Sequence, residues 1–200
     1  MTKPPPPMPV DRRSQRTRMA LRGALVELMV ERPWDDIAVG DVCTRANVGR
    51  STFYLHYPNK GALLKGGLEG LQAELRHQAR AHPGAGFRFA QGLIEHAHDQ
   101  RRLFRSLIGR QSGYVVQQQY REMVIRLVDE ELPPSTVGLP RPAVARWLAG
   151  AFDELLSWWI EEREPMPPGD LAAWFDQLSR PALNEPPLAP DRLRPDFIPR

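Results

Sequence analysis

Every long segment of this chain repeats its apolar residues at helical spacing, and none repeats them at the two-residue spacing of a strand. In "RRSQRTRMALRGALVELMVERP", Leu21, Ala24, Leu25, Leu28 and Met29 fall at i, i+3, i+4, i+7 and i+8, the stripe a helix turns toward a core. Pro33 ends that helix. "GYVVQQQYREMVIRLVDEEL" aligns Tyr120, Met123, Val124, Leu127 and Val128, and Pro133–Pro134 close it. "PAVARWLAGAFDELLSWWIEER" aligns Val144, Trp147, Leu148, Ala151, Phe152, Leu155, Trp158 and Trp159, and Leu156 and Ile160 widen the stripe well past one face. "PPGDLAAWFDQLSR" adds Leu171, Trp174, Phe175 and Leu178. The expectation is an all-α fold.

Shorter elements fill the gap after Pro33. "VGDVCTRA" reads as a short helix with Val42 and Cys43 inward, then a turn at Asn47–Gly49 and a second short helix from Ser51. Pro58 stops that helix, and Asn59 is placed to cap a longer one from 60 to about 81. Residues 87–108 read as one or two helices broken near Gln100. Five prolines in the first eleven residues, and a proline-rich stretch from Pro181, read as irregular ends. The organisation expected is an arm at 1–11, a domain of short helices at 12–65, a larger helical domain at 66–183, and a tail at 184–200.

Charge is unevenly placed. Residues 1–65 hold 11 Lys/Arg against 6 Asp/Glu, whereas residues 129–176 hold 3 against 10. That split suits an N-terminal part that meets a polyanion. A single cysteine, Cys43, excludes an internal disulfide framework, and no apolar run reaches the length of a membrane span, so the expected place is the cytoplasm. No Gly-rich phosphate loop, nucleophile elbow, HExxH or cysteine pair is present, which points away from an enzyme. In "EHAHD", His96 and His98 diverge by about 200° on a helix, so no shared metal ion is expected there, and no cofactor elsewhere. Cys43 reads as a small core residue, and Trp147, Trp158, Trp159 and Trp174 as core or interface packing.

One stretch resists a core reading. "ANVGRSTFYLHYPNK" holds three aromatics, a histidine, two cations and two hydroxyls, with no carboxylate. Two short helices joined at a tight glycine turn, packed on an amphipathic helix, form a helix-turn-helix, whose second helix enters the major groove. Val48 and Phe53 face the supporting helices in that arrangement, leaving Arg50, Ser51, Thr52, Tyr54 and His56 toward bases and phosphates. Lys60 begins the next helix, where its ammonium and the helix N-terminus can share a phosphate. A structural helical corner would not need this conjunction of positive charge, hydroxyls and missing acids.

"AVGDVCTRANVGRSTFYLHYPNKGALL" resembles the DNA-binding signature of TetR-family transcriptional regulators, a likeness spanning about residues 14–66. It implies base and phosphate contacts by Arg50, Ser51, Thr52, Tyr54, His56 and Lys60, within an all-α homodimer whose C-terminal domain binds a small molecule. The chain departs from the pattern at Ala38, where Thr or Ser is common, and at Gly40, where a polar or basic residue is common; both positions touch DNA in relatives. Losing the first removes a helix cap of roughly 1 kcal/mol. The arm residues Arg12, Arg13, Arg16 and Arg18 are placed to compensate on phosphates. "WLAGAFDELLSWWIEEREPMPPGDLAAWF" looks like the C-terminal region of a TetR subgroup.

The expected partners are double-stranded DNA with a near-palindromic operator, a second copy of the chain, and a small apolar or aromatic effector. The overbroad apolar helix at 143–160 and its successor predict an isologous four-helix interface through Val144, Leu148, Phe152, Leu155, Trp159, Leu171, Trp174, Phe175 and Leu178. The pocket walls expected are Phe89, Leu93, Phe104, Leu107, Tyr120, Met123, Val124 and Leu127. A ligand-responsive repressor is the resulting reading; the alternative is a constitutive or partner-controlled regulator or activator with no small-molecule effector.

Overall fold

The stripe led by Leu21 forms helix α1, Arg12–Glu31, which buries Leu21, Ala24, Leu25, Leu28 and Met29. The computed structural model describes residues 12–81, 86–108, 113–133 and 139–184, so the expected arm and all but the first residue of the expected tail lie outside the described residues. All of the regular structure among the described residues is helical. After a 3-10 turn at Trp34–Asp36 come α2 (Val39–Ala46), α3 (Arg50–His56), α4 (Lys60–Ala81), α5 (Arg88–Asp99), α6 (Arg101–Ile108), α7 (Gly113–Glu131), α8 (Arg141–Glu161) and α9 (Pro168–Asn184). The break at Gln100 makes 88–108 two helices. Helix α9 runs through Pro181 instead of ending there.

The described chain divides into two compact units. The first holds residues through Leu71 together with Arg102–Gln119; the second holds Gln72–Arg101 and the residues from Tyr120 on. In the first unit, α1 packs on α2, and the core gathers Trp34, Ile37, Val42, Cys43, Phe53, Tyr57, Leu63 and Leu64, with Leu103 and Val116 added from α6 and α7. Burial raises the Cys43 thiol pKa, as expected of a packed side chain.

In the second unit α5 packs on α8 and α9, and Phe87, Phe89, Phe152 and Phe175 meet edge-to-face or tilted at centroid distances of 5.1–6.4 Å. The entry to α5 is fixed by Asp176, whose Oδ1 accepts the Phe87 amide at 2.8 Å. Gly86 precedes it at φ +100°, and a β-carbon there would lie 2.1 Å from the Asp176 carboxylate, so both the backbone and the contact require glycine. Arg101 donates to the Ile160 carbonyl at 2.9 Å and so satisfies the end of α8.

Helix α8 corrects the expected interface. Val144, Leu148, Phe152 and Trp159, with Leu171 and Phe175 of α9, are buried in the core of their own unit. The apolar side chains left outside are Trp147, Trp158, Trp174 and Leu178, exposed by 56, 43, 45 and 67%, with Leu155 half-buried between them. Trp158 and Trp174 stack at 6.2 Å with their planes 12° apart. The helix is apolar on both sides, and its stripe alone does not say which side is the inner one.

Candidate nucleic-acid interface

Helix α3 is held by its inner face. Phe53 is fully buried and makes an edge contact to Tyr54 at 5.3 Å, and Tyr57 lies beneath it in the core. The turn before α3 depends on Asn47, the αL C-cap of α2 at φ 51°, a conformation asparagine tolerates. The amide of Val48 then donates to the Cys43 carbonyl at 2.9 Å. Arg45 braces α2 against α1 through Glu31 at 2.7 Å and Glu27 at 3.2 Å. The paired guanidinium holds Glu31 below the usual carboxylate range. Acidic charge beside the motif is thereby spent inside the unit, away from α3.

The outer face of α3 presents Arg50, Ser51 and Tyr54 to solvent, with Thr52 and His56 half-buried at its edges. The face also carries Leu55, 83% exposed, the most exposed of the large apolar side chains among the described residues. It follows Ser51 by four residues, a spacing that puts both on one side of the helix, and a leucine so placed suits a thymine methyl. Sequence reasoning passed over it, although the spacing alone was enough to find it. Arg16 and Arg18 are exposed on α1, the latter donating to Ser14 at 3.1 Å.

The two departures noted at α2 have physical counterparts. Ala38 offers no side-chain cap, yet its amide donates to Asp41 Oδ2 at 2.8 Å, so one half of a capping box is made. Arg32 pairs with that carboxylate at 2.9 Å. Gly40 serves Arg50: a β-carbon at 40 would lie 2.5 Å from Arg50 Nη2. The missing side chain is the space in which the guanidinium rests.

Lys60 has a different setting from the one its position suggested. Its ammonium donates to the carbonyls of Trp34 at 2.6 Å and Ile37 at 2.9 Å and sits 4.5 Å above the Trp34 ring. Burial lowers its pKa, partly offset by the charges of Asp35 and Asp36. This is a clip between the α1–α2 connection and the start of α4, and it takes up two of the three donors a phosphate would use. Asn59 caps α4 as expected, accepting from the Ala62 amide at 2.8 Å.

The residues expected to wall a pocket fall in both units. Phe89, Leu93, Met123, Val124 and Leu127 are buried in the second, which also holds Tyr120; Phe104 and Leu107 belong to the first, where Leu107 packs on the core.

Comparison with known proteins agrees with this geometry. Residues 21–66 match the family described as bacterial regulatory proteins, tetR family. Over 57 residues the chain is 40% identical to the HTH-type transcriptional regulator YxbF of Bacillus subtilis, a match covering 28% of this chain and 15% of that protein's length. A TetR transcriptional regulator from Streptococcus agalactiae is similar over 84% of this chain and 96% of its own, at 28% identity and a TM-score of 0.63. NalD of Pseudomonas aeruginosa, the secondary repressor of the MexAB-OprM multidrug efflux pump, shares the fold at 18% identity and a TM-score of 0.59, over 85% of this chain and 98% of its own.

Proposed function

We propose that the chain, whose residues 21–66 match bacterial regulatory proteins of the tetR family, is a DNA-binding transcriptional regulator of that family, a ligand-responsive repressor that acts in the cytoplasm as a homodimer on a near-palindromic operator. Residues 12–65 bind DNA in this reading, and 66–183 take the effector and dimerise. The observation that carries it is the outer face of α3, where Arg50, Ser51, Thr52, Tyr54, Leu55 and His56 project without a single carboxylate. Arginine reads guanine by paired hydrogen bonds, and hydroxyls and the phenol reach bases or phosphates. Arg16 and Arg18 add backbone contacts, and Gly40 acts through the position it allows Arg50.

Dimerisation is assigned to the outer aromatic face of α8 and α9, where Trp147, Trp158, Trp174 and Leu178 leave more apolar surface than a lone subunit needs. The effector reading rests on the second unit, where Phe89, Leu93, Tyr120, Met123, Val124 and Leu127 join large flexible side chains to one phenol. A ligand there weakens DNA binding only if it prefers the arrangement that does not bind DNA. A coupling of about 1–3 kcal/mol corresponds to a 5- to 150-fold change. One observation favours the rival, a constitutive or partner-controlled regulator: Phe89 is already packed against Phe152 and Phe175 at 5.3 and 6.4 Å.

The test is a mobility shift on the promoter beside the chain's own gene, with Arg50→Ala. A loss of about 1–3 kcal/mol with relaxed preference at one base position per half-site is expected. Unchanged affinity and preference would sink the docking of α3. Thermal-shift screening with apolar and aromatic metabolites, each hit then titrated against the DNA complex, separates the effector reading from its rival.

A further inference from the structure

Phe53 fixes which way α3 faces. Its side chain is fully buried, so the direction of residue 53 is the inward direction of the helix. At about 100° per residue, Ser51 and Leu55 each stand about 200° from it, roughly one turn apart and about 20° from straight outward. The remaining residues turn to the flanks. Arg50 and Tyr54 fall on one side, where the guanidinium lies over Gly40 of α2 and the phenol ring meets Phe53 edge-on. Thr52 and His56 fall on the other side and are half-buried. The crest of α3 is thus a hydroxyl followed by a leucine, with the cation to one side.

Leu55 is 83% exposed, yet it stands where the helix reaches furthest from its own core. A leucine can neither donate nor accept a hydrogen bond. The floor of a major groove is lined by nitrogen and oxygen edges, and its one apolar feature is the C5-methyl group of thymine. A leucine pressed on a polar edge displaces water and returns no hydrogen bond, which is unfavourable. Pressed on a methyl group, it buries apolar surface on both partners. Ser51, one turn earlier on the crest, is short and can bond to several base edges, so it discriminates less.

We propose that Leu55 reads the C5-methyl group of a pyrimidine and is the specificity-determining residue at one position of the operator. The inference rests on the docking of α3 in the major groove and names what its crest selects. Two bases offer this chemistry at the same place in the groove, thymine and 5-methylcytosine. The second source would make DNA binding by this chain sensitive to methylation of cytosine.

The test uses the full chain and duplexes that it selects from a random library. Thymines of the selected site are replaced one at a time by uracil, which keeps the pairing and loses only the methyl group. Cytosines are replaced in the same way by 5-methylcytosine. Wild type is compared with Leu55→Ala, a change from an exposed leucine to the best helix former, and thermal unfolding checks that the variant is folded. Thymine is the source if uracil at one thymine position weakens wild type about fourfold, the worth of one methyl group at about 0.8 kcal/mol, and leaves L55A unaffected. 5-Methylcytosine is the source if no position responds to uracil and methylation of one cytosine strengthens wild type about fourfold but not L55A. Wild-type affinity that ignores both replacements at every position, or responses of equal size in L55A, overturns the proposal. Arg50→Ala separates the two levels: with its affinity loss present and the methyl groups silent, Leu55 alone is wrongly assigned, and with no loss the docking of α3 falls as well.

Discussion

Replacing Asp153 with asparagine should stabilise this protein, and only above mildly acidic pH. Asp153 lies on α8 with Oδ1 shut from water and without a hydrogen-bond partner among the described residues. Burial raises its pKa from 3.8 to about 7; the charge of Arg121 lowers it in part, and Glu154 raises it. A carboxyl that holds its proton more tightly when folded supports the fold below pH 3.8 and withdraws that support as pH rises through 7. A shift from 3.8 to about 7 corresponds to about 4 kcal/mol at full ionisation, and water reaching the half-buried group trims this to about 2 kcal/mol. Asparagine keeps the shape and cannot ionise. Thermal unfolding of both proteins, at one protein concentration from pH 4 to 8.5, should show no difference at the acid end. At the alkaline end an advantage of roughly 4–8 °C is expected. Parallel curves, or a variant less stable at pH 8, would mean that the ionised carboxylate is well accommodated and the reasoning from burial is wrong.

Lys60→Met removes the donors to Trp34 and Ile37 and should lower stability in the absence of DNA by about 1–3 kcal/mol, read from denaturant unfolding. Unchanged stability with a DNA salt slope flatter by about one would return Lys60 to a phosphate. Gly40→Ala forces the Arg50 guanidinium out of its place and should relax base preference in a selection from random sequences while the melting temperature holds or rises slightly. Trp174→Asp should yield a monomer in sedimentation and weaken operator binding; a dimer with wild-type affinity would move the interface elsewhere.

The helices were legible because the signal that marks them is local. The stripe from Leu21 to Met29 is the buried face of α1, Asn59 caps α4, and the break at Gln100 falls where the pattern lapses. Phe53 inward and Tyr54 outward followed from their adjacency on a helix. Helix α8 was less legible for a physical reason. Its inner and outer faces are both apolar, and which one packs on Phe89 and Phe175 is set by α5 and α9, not by α8. Trp159 went inside, with its indole N–H on the Met166 carbonyl at 2.8 Å, while Trp158 beside it stayed out.

What the sequence could not assign was which of several suitable partners a polar side chain takes. A lysine at a helix N-terminus beside a recognition helix is equipped for a phosphate, and Lys60 has that position. The carbonyls it meets belong to residues 26 and 23 positions earlier, brought close by the turn after Pro33. Gly40 shows the converse. Read alone it was a lost contact, but the Arg50 guanidinium stands 2.5 Å from where its β-carbon would be, so absence at one position makes room for the Arg50 side chain at another. Arg22 and Gly70 repeat that relation more loosely between α1 and α4, where a β-carbon at Gly70 would lie 3.1 Å from Arg22 Nη1. Substitution at Gly40 should therefore move the Arg50 side chain before it alters folding.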